Sequence, residues 1–149
     1  MAESLYTSEN PVFAAFCFYG AILCLKMIAI AVLTGRMRFR KMAFANPEDT
    51  VVKAGVKVRT DEDVERIRRA HLNDLENILP FLLLAFLYVS IDPIPSSALI
   101  AFRMFTGARV IHSIVYAVFV LPQPARALSY IAGQAVNIYL AVSIILAYI

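Results

Sequence analysis

Val64 to Val89 reads VERIRRAHLNDLENILPFLLLAFLYV. The stretch opens with Glu65, Arg66, Arg68 and Arg69. It then passes through His71, Asn73, Asp74, Glu76 and Asn77 and runs into an almost purely apolar segment without a turn signal. One helix therefore carries a charged half into or against a membrane. Ionisable groups at membrane depth are costly, so they face a bundle interior and pair with something polar. A polar ligand inside a membrane protein is the first expectation.

Working outward, the 149 residues are 60% hydrophobic and the mean hydropathy is +0.71. A soluble domain is closer to half apolar. Apolar stretches lie at Pro11–Leu33, Ile78–Ile91, Ile94–Leu121 and Leu128–Ile149. Spanning the hydrocarbon takes about 20 helical residues, which the second stretch reaches once Arg69 to Asn77 counts as its protein-buried start. The reading is an all-α membrane protein, a four-transmembrane-helix bundle forming one domain over 1–149. Its helices are predicted near 11–35, 64–91, 95–121 and 126–148, with a loop over 36–63. Residues 1–10 lack a basic n-region, so the first helix is expected to stay in the mature protein.

Ten of the 14 Lys and Arg fall between Arg36 and Arg69. The positive-inside rule places that loop in the cytosol, both termini on the far side, and the PQPAR turn (Pro122–Arg126) back at the cytosolic face. The net charge of +3 is thus a topology signal. Nucleic-acid binding is not expected, because the bases alternate with Asp61, Glu62, Asp63 and Glu65 and no stacking motif accompanies them. Cys17 and Cys24 lack metal-ligand spacing and read as small apolar residues with no disulfide framework. Lys26 leaves two readings open: snorkelling to an interface, or pairing with a carboxylate in the bundle. In the loop, Asn46-Pro47-Glu48-Asp49 reads as a helix start. Thr60 reads as a cap with Asp63 three residues on.

Spacings of three and four put Arg66, Arg69, Asn73, Glu76 and Pro80 on one face of the second helix. Arg109, His112, Ser113 and Tyr116 share a face of the third, and Arg126, Tyr130, Gly133, Gln134 and Asn137 share one of the fourth. All three faces fall near the cytosolic side. Several arginines point to a ligand with carboxylates, which guanidinium binds bidentately. Glu76 suits an ammonium, and Asn73, His112 and the tyrosines suit amides. A small zwitterionic peptide fits better than a nucleotide, since no Gly-rich phosphate loop is present. No metal site is expected: His71 and His112 are the only histidines and no Cys is near them. The bland alternative is that these residues only join helices.

The segments RTDEDVERIRRAHLNDLENILPF (Arg59–Phe81), FANPED (Phe44–Asp49), FRMFTGARVIHSIVY (Phe102–Tyr116) and LPQPARAL (Leu121–Leu128) resemble the MAPEG family of membrane proteins in eicosanoid and glutathione metabolism. The resemblance runs from Lys26 to Tyr139. RRAHLNDLEN with LPQPARAL is similar to the transferase branch, whereas GRMRFRKMAFANPED is closer to the prostaglandin E synthase branch. The synthase branch has Arg where Leu72 stands and Ser where Ala127 stands. Thr50 occupies the place of a reactive Cys in the transferases.

The resemblance implies a homotrimer in the endoplasmic reticulum membrane, multi-pass, with the mitochondrial outer membrane as a second location. It implies a glutathione site between subunits that faces the cytosolic side, with glutathione as co-substrate and no metal. Arg69, His71, Asn73, Glu76 and Arg38 would bind glutathione together with Arg109, His112, Tyr116, Arg126 and Tyr130. Asp49 would complete the network. Arg126 and Tyr130 would be catalytic. Only the thiolate is a good nucleophile, and Arg126 beside the sulfur would favour it. The second substrates would be lipophilic electrophiles and lipid hydroperoxides arriving from the lipid bilayer, over an apolar wall from helices 1 and 4. Three other readings stand beside this one: a glutathione-dependent endoperoxide isomerase, a non-catalytic lipid-presenting protein, and a small channel or transporter.

Overall fold

The computed structural model describes residues 5–52 and 54–149. The order is α1 (Pro11–Lys41), a 3-10 turn (Pro47–Val52), α2 (Glu62–Val89), α3 (Pro95–Ser113) continued by a π turn (Ile114–Val118), and α4 (Ala125–Ala147). No strand occurs among the described residues. All four long helices are apolar enough to cross a membrane, as the hydropathy pattern predicts.

Each helix end has a local cause. Asn10 caps α1, its Oδ1 accepting from the Val12 and Phe13 amides at 2.9 and 3.4 Å, and Pro11 sits where a missing amide costs nothing. α1 runs on to Lys41 rather than stopping near residue 35. Gly35 costs only about 1 kcal/mol in a helix, and the Arg and Met around it are good helix formers. At about 46 Å long, α1 exceeds the hydrocarbon thickness, and its basic last turns extend beyond it. It ends at Met42, whose φ of 50° is left-handed. There the Arg59 side chain donates to the carbonyls of Lys41 and Met42, a cation where the helix dipole wants one. The cap of α2 is Asp61 rather than Thr60: its Oδ1 accepts from Asp63 at 3.0 Å and Val64 at 3.4 Å. Pro47 does open a helical turn, and the Asp49 amide donates to the Asn46 carbonyl at 3.2 Å. α3 starts on Pro95.

α1 and α4 flank the α2–α3 pair on opposite sides, each packing on both. α2 and α3 themselves come close at few points, so large side chains fill the space between them. In the half away from the α1–α2 loop the filling is aromatic: Phe81 stacks on Phe105 with centroids 3.9 Å apart and meets Phe102 edge-on at 5.8 Å. Leu23, Ile78, Ala85 and Leu140 complete this core with no exposed surface. Each of the Leu, Ile and Phe side chains contributes about 1.5–3 kcal/mol when fully buried. Cys17 and Cys24 are free thiols on the outer surface of α1, so they do not pack inside the bundle.

Candidate functional site

Toward the loop end the filling between α2 and α3 turns ionic. Asp74 lies about 18 Å along α2 from Glu62 and has no exposed surface. Its Oδ1 accepts from Arg109 Nη2 at 2.6 Å. Its Oδ2 lies 2.5 Å from Lys26 Nζ and accepts from Ser113 Oγ at 3.2 Å. Lys26 therefore pairs with a carboxylate in the bundle and does not snorkel. Arg109, also wholly buried, donates from Nη2 to Asn73 Oδ1 at 2.9 Å and contacts His112 Nδ1 at 3.3 Å. Three helices are thereby tied at one carboxylate. Losing one partner of such a buried pair is worth about 3–5 kcal/mol, because the other charge is left unpaired.

The remaining predicted residues surround this knot. The His112 ring meets Tyr116 edge-on at 5.5 Å, and the Arg126 guanidinium lies over the Tyr116 ring at 4.6 Å. Tyr116 belongs to the π turn, closed by the Phe119 amide donating to the Ile114 carbonyl at 2.7 Å. Such turns recur at functional positions. Arg69 pairs with Glu62 at 3.1 Å and also feels Tyr116. His71 lines an open cleft of about 220 Å³ with Arg68, Arg69, Leu72 and Leu75. Arg38 lines another of about 310 Å³ with Gly35, Phe39, Phe44, Glu48, Asp49 and Val52. Tyr130 accepts from Gln134 at 3.0 Å on the exposed face of α4. Glu76 is exposed and has no ion pair among the described residues.

The predicted set therefore divides. Asn73, Arg109 and His112 come together, as do Tyr116 and Arg126 with Arg69 alongside. Arg38 lines a separate cleft, and Tyr130 lies one helical turn from Arg126 on α4 with its hydroxyl bonded to Gln134. Arg109 turns inward to Asp74 with His112 packed against it, both are buried in the single chain, and the Nε and Nη1 atoms of Arg109 have no hydrogen-bond partner among the described residues. Asp74 itself is the residue that spacing overlooked. It lies on the core stripe Ile67, Ala70, Asp74, Ile78, Phe81 and Ala85, and that stripe together with two lone mid-span cations could have revealed it. No group of His, Cys, Asp and Glu suited to a metal occurs among the described residues.

Four spanning helices, three of them tied through a buried Lys-Asp-Arg knot, with an arginine-rich polar face at one end, define a polytopic α-helical protein with a polar site at membrane depth. The chain belongs to the MAPEG family, whose profile matches residues 16–146. It is 44% identical to human "Microsomal glutathione S-transferase 1" over 146 residues, 95% of this chain and 94% of that protein. The rat protein of the same name gives the same identity and coverage. Mouse "Prostaglandin E synthase" is 45% identical over 116 residues, 77% of this chain and 76% of that protein.

Proposed function

We propose that this protein is a membrane glutathione transferase of the endoplasmic reticulum. It would join the glutathione thiolate to lipophilic electrophiles and reduce lipid hydroperoxides. The 44% identity to transferases along 95% of the chain carries the reading. The Arg126 guanidinium, held over the Tyr116 ring that Arg69 also approaches, would supply the chemistry it needs.

Glutathione would lie on the polar face with its carboxylates on Arg69 and Arg38 and its ammonium on Glu76. His71, Asn73 and Tyr116 would hydrogen-bond the peptide groups. Arg109 and His112, sealed against Asp74, would form the wall behind it rather than touch it. Arg126 would hold the sulfur as its anion, with Tyr130 donating a hydrogen bond. In conjugation, sulfur forms the bond to carbon, the leaving group departs with its electron pair, and the thiol proton goes to solvent. In hydroperoxide reduction, one glutathione sulfur takes the distal oxygen and a second glutathione reduces it, giving alcohol, water and the disulfide.

A homotrimer fits the exposed charges. Glu76 and Arg69 face outward on a single chain, and a charge facing lipid at this depth is costly. A neighbouring copy would cover them and bring its Arg38 and Asp49 to the site. The likeness to prostaglandin E synthase favours a second reading, in which the same thiolate opens an endoperoxide. Adding glutathione to the detergent-purified protein, then chlorodinitrobenzene, tests the proposal. Thiolate absorbance followed by a thioether product is expected. Thiolate without thioether, together with endoperoxide turnover that consumes no glutathione, would transfer the assignment to the isomerase.

A further inference from the structure

Asp74 touches no residue that would contact glutathione, except through others. Its Oδ1 and Oδ2 are both engaged, by Arg109 on one side and by Lys26 and Ser113 on the other. From Arg109 a line of direct contacts runs outward. The two Nη2 hydrogens of Arg109 go to Asp74 and Asn73, and the same nitrogen lies 3.3 Å from His112 Nδ1, so the guanidinium packs against the edge of the imidazole. The ring stands perpendicular to Tyr116, at 90° and 5.5 Å, and Tyr116 presents its face to Arg126 at 4.6 Å.

Arg126 has no ion pair among the described residues. Its long side chain is therefore oriented chiefly by the ring beneath it. We propose that Asp74 is a positioning residue: through Arg109, His112 and Tyr116 it sets the direction in which Arg126 presents its N–H groups to the glutathione sulfur. This rests on the transferase reading above. A misplacement of about 1 Å at a reacting centre can cost up to 100-fold in rate, so an upright Tyr116 is worth holding from behind.

The charges of the knot allow a clean test. Lys26, Asp74 and Arg109 sum to one positive charge, and Lys26→Met with Asp74→Asn leaves that sum unchanged. The double variant removes the Asp74 carboxylate without adding net buried charge. In the full-length protein we expect glutathione affinity within about threefold of the parent. The conjugation kcat should fall about tenfold, with a matching loss of thiolate absorbance per bound glutathione. Ser113→Ala, which removes only the 3.2 Å bond, should move the same two readouts by about twofold and serves if the double variant does not fold. Melting that drops while thiolate absorbance and kcat hold would make Asp74 a strut between helices and overturn the proposal. A parent protein that forms no thiolate would remove the transferase reading itself, a result distinct from any change confined to the variants.

Discussion

Asp74 and Glu76 are two residues apart on α2 and point to nearly opposite sides of it, since each residue turns the helix by about 100°. One carboxylate is sealed and held by Lys26, Arg109 and Ser113. The other is exposed and without an ion pair among the described residues. The same chemical group thus serves two ends. Where the chain supplies its own counter-charges, the carboxylate joins helices. Where it leaves them out, the carboxylate is open to a ligand or a neighbouring copy.

Removing each group separates the two roles. The largest effect should come from Asp74→Ala, which strands Lys26 and Arg109 and should cost about 3–5 kcal/mol. Thermal melting in detergent reads this directly, and a melting temperature equal to the parent's would mean that the knot is not what joins the helices. On the outward side, Arg126→Ala should lower conjugation by about 100-fold while equilibrium binding still detects glutathione. Normal turnover in that variant would remove Arg126 from the sulfur.

Glu76→Gln should weaken glutathione by about tenfold, as expected for a lost charged hydrogen bond, with no change in melting. If it melted like Asp74→Ala instead, the contrast between the two carboxylates would collapse. A smaller effect is expected in the half of the bundle that holds neither group. There the Tyr88 and Tyr139 hydroxyls lie 2.9 Å apart, and Tyr88→Phe should cost about 1 kcal/mol without altering glutathione binding. Least of all, a maleimide should leave activity unchanged, because the two cysteines, Cys17 and Cys24, both lie on the outer surface of α1 and Thr50 stands in the loop. A several-fold activation would show that a thiol on α1 reaches the site.

Much of this was legible in the residues, for particular reasons. The charged-to-apolar run of α2 admits one helix at membrane depth, and the prolines at 11, 95 and 124 mark where helices begin. The polar faces on α2, α3 and α4 follow from spacing alone. The cap of α2 fell one residue late because Thr60 and Asp61 are both good caps, and only backbone direction chooses between them. α1 outran its expected end because its last turns are polar, and hydropathy records where lipid stops rather than where a helix does. Asp74 was missed because its neighbours Arg69, Asn73 and Glu76 form the more conspicuous stripe. Spacing cannot tell which of two adjacent stripes faces the core. The inward turn of Arg109 and His112 follows from that same choice.

The π turn at Ile114–Val118 has a consequence for comparing relatives. Such a turn holds one residue more than the α-helix around it, so it behaves as a single-residue insertion that the helix absorbs without breaking. A relative one residue shorter between Arg109 and Arg126 could keep a continuous helix, yet its counterpart of Tyr116 would be rotated by about 100°. A gap of one position there, trivial in an alignment, would mark a lineage whose arginine has lost its aromatic seat.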